Sequence, residues 1–283
     1  MQIITDPSAM QEACSVARLS GLRIGFVPTM GYLHEGHLSL LRAARAECDM
    51  VVLSIFVNPT QFGPNEDYQR YPRDAERDLE AARAVGANLV FMPSAEAMYP
   101  LGYSTFVEVE GLTSKLEGQH RPGHFRGVAT VVLKLLNIVQ PHKAYFGLKD
   151  YQQFLVVRRM VADLNLPVEI VPMPTVREPD SLAMSSRNVY LSPEERQAAL
   201  ALPRAIQRCV QELRGGERRA WHVKRAGMEL LDAEPLLTVD YLAVADPETL
   251  AEPDIVGASA VVLGAVRCGS TRLIDNAIWR EGE

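Results

Sequence analysis

The chain has 283 residues, 47% hydrophobic and 23% charged, with a formal net charge of −6. This describes a globular protein long enough for one large domain and a smaller one, and 35 carboxylates against 29 Lys and Arg argue against a general nucleic-acid surface, which needs clustered cations to replace counterions around phosphates. Cys14, Cys48, Cys209 and Cys268 are scattered without Cys-x-x-Cys spacing, so neither a disulfide framework nor a zinc site is expected, and a cytoplasmic location fits.

Residues 1–6 lack the basic and long apolar regions of a signal peptide, and the longest apolar runs, such as residues 51–57, are too short to span a bilayer, so no membrane association is expected. Residues 23–27 predict a short buried strand ended by Pro28, and residues 37–47 an amphipathic helix. The block His34-Glu35-Gly36-His37 therefore falls on a strand-to-helix turn. First-turn N–H groups have no intrahelical partner and, with the helix dipole, favour an anion. The two imidazoles add donors there, and glycine at position 36 allows a phosphate or base close to the backbone. Either histidine alone fits an ordinary loop; the pair after a strand resembles the nucleotide-binding signature of class I aminoacyl-tRNA synthetases and related nucleotidyltransferases.

Further strands are predicted at residues 51–57, 88–92, 144–146 and 168–172, and helices at 74–85, 127–139 and 151–164. This alternation of apolar strands with helices implies a Rossmann-like, doubly wound parallel sheet. Ligands on such sheets bind beyond the carboxyl ends of the strands. Asn58 and Gln61 follow the second of these strands, where an amide donates to a carboxylate or accepts from a hydroxyl. Residues 118–127 hold two Arg and two His among three glycines, reading as a mobile anion-binding loop with Arg121 the preferred contact, or as a solvated hinge. Lys149 and Gln153 lie four apart at the start of a helix that Asp150 would cap.

Around residues 172–193 the chain becomes rich in Pro and Ser, and a domain boundary is placed between residues 175 and 176. Ser185-Ser186-Arg187-Asn188 reads in isolation as a solvated turn. In the order in which it follows the histidine block it resembles the superfamily's Met-Ser-Lys loop, with Arg187 supplying the charge and the serines neutral hydrogen bonds. Helices predicted at 193–213 and 218–231 and strands at 237–244, 258–266 and 271–279 make residues 176–283 a smaller C-terminal α+β lid domain, after a first domain of residues 1–175.

Together the segments Val27-Pro28-Thr29-Met30-Gly31, His34-Glu35-Gly36-His37, Ser54-Ile55-Phe56-Val57-Asn58-Pro59, Gln61-Phe62, Arg70-Tyr71-Pro72-Arg73, Arg121-Pro122-Gly123-His124-Phe125-Arg126-Gly127-Val128, Lys149-Asp150, Ser185-Ser186-Arg187-Asn188 and Arg272-Leu273-Ile274-Asp275-Asn276 make a specific set over nearly the whole chain. It resembles the pantoate–β-alanine ligase family of vitamin B5 and coenzyme A biosynthesis. The resemblance implies that pantoate and ATP form pantoyl adenylate and pyrophosphate, and that β-alanine then displaces AMP. It implies ATP contacts from Met30, His34, Gly36, His37, Gly147, Lys149, Asp150, Val176, Met184, Ser185, Ser186 and Arg187, of which His34, His37, Lys149 and Arg187 are catalytic. Gln61 and Gln153 would hold pantoate, with Gln61 also meeting β-alanine. Mg²⁺ is implied as a phosphate-bound ion without a dedicated protein cage, and a homodimer is implied as the assembly.

Two positions depart from the family pattern: Leu148 stands where a polar residue is frequent, and Ser181 where glycine is frequent and a positive φ would strain serine. The rival readings are a nucleotidyltransferase that stops at an adenylylated product, a nucleotide sensor on the same fold, and a tRNA synthetase, which the acidic balance disfavours.

Overall fold

In the computed structural model, which describes residues 1–64 and 66–282, the apolar runs of the first part of the chain become parallel strands joined by helices. In chain order these are β1 (Gln2–Ile4), α1 (Pro7–Leu19), β2 (Ile24–Thr29), α2 (Glu35–Glu47), β3 (Met50–Ile55), α3 (Ala75–Ala84), β4 (Leu89–Phe91), α4 (Ala95–Met98), α5 (Glu117–His120), α6 (His124–Val139), β5 (Lys143–Gly147), α7 (Tyr151–Asp163) and β6 (Glu169–Met173). The strands form one sheet in the order β1-β4-β3-β2-β5-β6, every neighbouring pair parallel. The order runs outward from β2 in one direction and from β5 in the other, which is the doubly wound arrangement expected from the sequence.

Strand side chains alternate between the two faces. Val27, Leu53, Val90 and Tyr145 share one face with Leu40, Leu41 and Ala44 of α2. Phe26, Val52 and Ala144, in register on the other face, are also fully buried. A sheet buried on both faces accounts for strands that read as continuous apolar runs. The sequence reading starts the sheet at residue 23; the structure adds β1 and α1 ahead of it, with Asp6 capping α1 through the Ala9 N–H and Pro7 at its first turn.

Pro28 shapes the middle of this sheet. The Ile24 carbonyl accepts the His142 N–H, so the even-numbered backbone groups of β2 face β5, while the Arg23 and Thr29 carbonyls accept from Met50 and Phe56 on the β3 side. Proline has no N–H to offer. The β2–β5 pairing accordingly ends at Phe26 with Ala144, although β2 continues to Thr29 and β5 to Gly147. The carboxyl ends of β2 and β5 are therefore free of each other at the switch point, where open α/β sheets take their ligands.

The chain divides into two compact units, the first Met1–Leu148 with Gln153–Pro174, the second Lys149–Gln152 with Thr175–Glu283. Asn65 and the chain's last residue, Glu283, lie outside the described residues. The second unit contains α8 (Pro193–Ala199), α9 (Ala201–Arg214), α10 (Ala220–Asp232) and the antiparallel strands β7 (Leu237–Ala245), β8 (Ser259–Cys268) and β9 (Thr271–Arg280), ordered β7-β8-β9. Its core includes Ile206, Cys209 and Leu213 of α9, Val223 of α10, and Leu242, Val262 and Trp279 of the sheet. Where the sequence predicts one helix over residues 193–213, the structure has two, broken at Leu200. Pro203 explains the break: it offers no N–H to the Ala199 carbonyl, and its ring crowds that carbonyl in a continuous helix.

No described helix is long and apolar enough to cross a membrane, and all four cysteines are free and buried. Because Leu53 is fully buried in a central strand, Leu53→Ala is expected to destabilise the protein by roughly 2–5 kcal/mol, read as a lower urea midpoint by circular dichroism.

Candidate active site

In the first unit, the turn after β2 carries the histidine block. Gly31 and Tyr32 both adopt left-handed backbone, φ 85° and 51°, before His34 begins α2 as its N-cap in extended conformation. Gly36 and His37 therefore lie in the first turn of α2, the positive end of its dipole. The His34 N–H donates to Nδ1 of His37 at 3.3 Å, and the two rings sit 4.1 Å apart between centroids, tilted by 33°. An Nδ1 that accepts carries no proton, so neutral His37 bears its hydrogen on Nε2 and presents it as a donor.

Gln61 lies in the 3₁₀ turn Pro59–Gln61 after β3 and is held on three sides. Asn58 Nδ2 donates to its Oε1 at 3.0 Å, its own Nε2 donates to the Met30 sulfur at 3.1 Å, and its backbone carbonyl lies 2.8 Å from His124 Nδ1. Asn58 in turn accepts at Oδ1 from the Tyr99 hydroxyl at 2.8 Å and the Thr60 hydroxyl at 3.0 Å. The Thr60 N–H, which can only donate, also reaches Oδ1 at 3.4 Å, and the Gly127 carbonyl, which can only accept, takes Nδ2 at 3.2 Å, so Nδ2 is the end turned to Gln61 and the donor end of the Gln61 amide is fixed. Burial pushes the Tyr99 hydroxyl up to about 12, so it keeps the proton it gives. Met30 and Gln61, separate in sequence, are brought into contact. Gln153 stands half-buried in the first turn of α7, and Gly147 ends β5.

Residues 118–127 differ from expectation. Instead of a mobile loop, α5 and α6 flank a short turn, and Arg121 is engaged by side chains of the protein: its guanidinium is bidentate to Glu66, with both contacts at 2.7 Å, and its third nitrogen lies 3.1 Å from His124 Nε2. Compensation of this kind between residues 55 apart leaves no local trace in sequence. His124 is buried, and burial first, then the Arg121 cation, lowers its imidazole to about 4, so the ring is neutral. Neutral His124 donates from Nδ1 to the Gln61 carbonyl and accepts at Nε2 from Arg121, which satisfies both nitrogens. Gly127 completes the docking of α6 on the Gln61 turn, since a Cβ there would stand 2.3 Å from the Thr60 carbonyl oxygen. Tyr99, Glu66 and His124 are thus the support residues that sequence reasoning does not single out; for His124, its place in the Arg-Pro-Gly-His-Phe-Arg-Gly segment was the available signal.

In the second unit, Lys149 Nζ and Asp150 Oδ1 lie 3.4 Å apart, and the Lys149 carbonyl accepts from Asn276 Nδ2 at 2.9 Å. The neighbouring Asp275, almost fully buried on β9, takes both terminal nitrogens of Arg177 at 2.7 and 2.9 Å. This pair anchors the segment that carries the Ser-Ser-Arg motif. Arg177 also donates to the Ser181 carbonyl, and the Met184 N–H donates to the Val176 carbonyl at 3.0 Å, so Val176 and Met184 are paired. Ser181 has φ 77°, a left-handed backbone that glycine adopts more readily than serine. Ser185 caps the turn Ser186–Tyr190 by accepting the Arg187 N–H at 3.3 Å, while Ser186 itself is buried. Asn188 donates to Glu178 Oε1 and the Ala183 carbonyl, and Arg196 binds Glu178 and Asp180.

Comparison with known proteins shows which family the whole chain resembles. The family model described as pantoate-beta-alanine ligase matches residues 2–278. A pantothenate synthetase of Moorella thermoacetica is 56% identical over 98% of both chains, and one from Chloroflexus aurantiacus 59% identical over 92% of both. A crystal structure of pantothenate synthetase from Thermus thermophilus superposes with a TM-score of 0.93 at 51% identity, covering 98% of this chain and 99% of that one. A pantoate-beta-alanine ligase from Francisella tularensis, complexed with beta-gamma ATP and beta-alanine, superposes with a TM-score of 0.79 at 33% identity over 98% and 97% of the two chains.

The neutral His124 has a consequence for pH. Its folded-state value lies below the ordinary 6.5, so the unfolded chain takes up the proton first and stability falls as pH drops from about 6.5 toward about 4. The loss is on the order of 3 kcal/mol at full extent. His124→Gln is expected to flatten that part of the stability profile, measured by urea unfolding between pH 4 and 7.

Proposed function

The chain belongs to the pantoate-β-alanine ligase family, and from that membership we propose how its residues carry out the ligation. It is an ATP-dependent ligase that joins pantoate to β-alanine through an amide bond. The reaction runs in two steps. A carboxylate is a poor acyl donor, so the pantoate carboxylate first attacks the α-phosphorus of ATP and expels pyrophosphate. The β-alanine amine then attacks the acyl carbon of the adenylate, the C–O bond to AMP breaks, and the amine's surplus proton goes to solvent.

The observation that carries the assignment of roles is the fixed tautomer of His37 in the first turn of α2. An Nε2–H held in place stabilises charge that grows on phosphate oxygens as pyrophosphate departs, and needs no reorganisation when it does so. In this reading His34 and His37 bind the ATP phosphates and Met30 and Gly36 border the nucleotide. Lys149 and Arg187 neutralise the triphosphate and Ser185 and Ser186 hydrogen-bond it, a task for positioning and charge rather than covalent chemistry. Gly147, Val176 and Met184 frame the nucleotide, with Asp150 on the ribose. Gln61 and Gln153 take pantoate's hydroxyls and carboxylate, and the polarity fixed on Gln61 suits an N–H donor to oxygen.

Magnesium belongs to the same reading. It enters as an ion carried by phosphate oxygens and water, which needs few protein ligands. When bound, it supplies charge neutralisation on the phosphates. A homodimer of the 31.3 kDa chain, acting in a reducing cytoplasm that suits four free thiols, completes the proposal. A nucleotidyltransferase or a sensor is not favoured by a family match that spans almost the whole chain.

AMP release from Mg-ATP is expected only with pantoate and β-alanine together, while exchange of pyrophosphate into ATP is expected with pantoate alone; absence of both from folded protein overturns the two-step scheme. His37→Ala is expected to slow the exchange by about 10²–10³-fold with its circular dichroism spectrum unchanged.

A further inference from the structure

The histidine turn is gripped from α3 by two consecutive residues that the reaction itself does not use. Asp78, 1% exposed, takes the Tyr32 N–H on Oδ2 at 2.7 Å and the Leu33 N–H on Oδ1 at 2.6 Å. Arg77 donates to the Leu33 carbonyl at 2.8 Å, and its guanidinium stands 4.7 Å from the centroid of the Tyr32 ring. Both polar groups of the Leu33 backbone are thus bound by α3, one residue ahead of His34. The His34 N–H, next along the chain, is the group that sets the His37 ring through Nδ1.

The grip opposes a real tendency to relax. Tyr32 is a non-glycine residue in left-handed backbone, a conformation that costs roughly 1–2 kcal/mol. Gly31 before it, itself at φ 85°, is required for a further reason: a Cβ there would stand 2.9 Å from Asp78 Oδ2 and from the Ile55 methyl group. Glycine at position 31 therefore lets the carboxylate reach the turn, and the carboxylate holds Tyr32 in the strained state. Burial raises the Asp78 carboxyl above its ordinary value, against the opposing pull of the Leu33 and Tyr32 N–H groups; a buried carboxylate is retained at this expense because both oxygens are bonded.

We propose that Asp78, assisted by Arg77, is a positioning residue for adenylate formation: it fixes the backbone of Tyr32 and Leu33 so that His34 delivers its N–H to His37 and His37 keeps its proton on Nε2. The inference rests on the reading of His37 as the transition-state donor. Asp78 does not touch substrate; it acts through the turn.

Asp78→Asn is nearly isosteric but replaces one acceptor with an NH₂ facing a backbone N–H, which turns an attraction into a repulsion. Pantoate-dependent pyrophosphate exchange should fall by about 10–100-fold in kcat, the scale of loss that small misplacements cause, with KM for pantoate unchanged. Arg77→Met, which keeps the side-chain stem and removes the bond to Leu33 together with the cation over the Tyr32 ring, should show a smaller loss in the same direction and serves if Asp78→Asn does not fold. In ¹⁵N spectra of the free enzyme, the His37 ring nitrogens should move from the Nε2–H pattern toward a mixture of tautomers in either variant, a change that mere loss of stability does not produce. In the His37→Ala background, adding Asp78→Asn should cost little more, because both act through one group. Wild-type exchange and an unchanged His37 tautomer in folded Asp78→Asn or Arg77→Met overturn the inference, as does a full additive loss in the double variant. If His37→Ala alone leaves exchange intact, the donor role fails instead, independently of the tautomer result.

Discussion

The missing N–H of Pro28 is the constraint on which the first unit's chemistry depends. Every other even-numbered residue of β2 can bond toward β5, and the ladder stops at the first one beyond Phe26 that lacks a donor. Had the ladder continued, the carboxyl ends of β2 and β5 would be tied together where a doubly wound sheet must leave them apart. Thr29 compensates on the opposite side, donating from its hydroxyl to the Ser54 carbonyl and accepting the Gly31 N–H at 3.2 Å. The strand is thus secured to β3 while released from β5, and the chain leaves it into a turn whose backbone sign is set by Gly31 and Tyr32.

The polar groups beyond that edge follow one physical rule. In the first unit, charged side chains near the histidine and glutamine turns are cancelled within the protein, and the amides and imidazoles beside them are oriented by other groups. Arg121 is spent on Glu66, and Asp78 on two backbone amides. His124 is neutral because it is buried beside a cation, and only a neutral ring can donate at one nitrogen and accept at the other. The Thr60 N–H and the Gly127 carbonyl together leave Asn58 one way to orient, and Asn58 leaves Gln61 one way. Preorganisation of this sort places donors before the reaction begins, which is where electrostatic catalysis gains over water.

How much of this is legible in sequence depends on the range of each interaction. The strand–turn–helix around His34 and His37 is local, written in an apolar run, a proline and an amphipathic repeat, and its elements fall within two residues of expectation. The start of α1 carries local signals as well, Asp6 then Pro7, but its buried face consists only of Met10, Cys14 and Ala17, too few and too small to stand out as a stripe. The two-helix break at Leu200 is readable from Pro203 once its effect on the preceding turn is considered. What is not legible is pairing across distance. Nothing near Arg121 announces Glu66, and a run of two Arg and two His among glycines describes an anion-binding loop as well as it describes a helix start locked to its neighbours. The same holds for Asp78, an ordinary-looking acid in a charged helix that is bonded to residues more than forty positions earlier.

Ser181 shows how an unfavourable backbone conformation is absorbed. Serine at φ 77° is held against its preference, so the segment from Val176 to Asn188 cannot rely on glycine's freedom to make its turn. It relies on over-determination. The Ser181 carbonyl accepts from Arg177, whose charge is locked by buried Asp275; the Ser181 N–H bonds back to the Glu178 carbonyl; and Glu178 and Asp180, both just ahead of it, are tied to Arg196. The turn is set by its neighbours rather than by its own residue. A glycine at this position would leave those contacts in place while widening the backbone states the unfolded chain can visit. The serine therefore exchanges conformational ease in the folded turn for a smaller entropy loss on folding, and the Arg177–Asp275 pair makes that exchange tolerable.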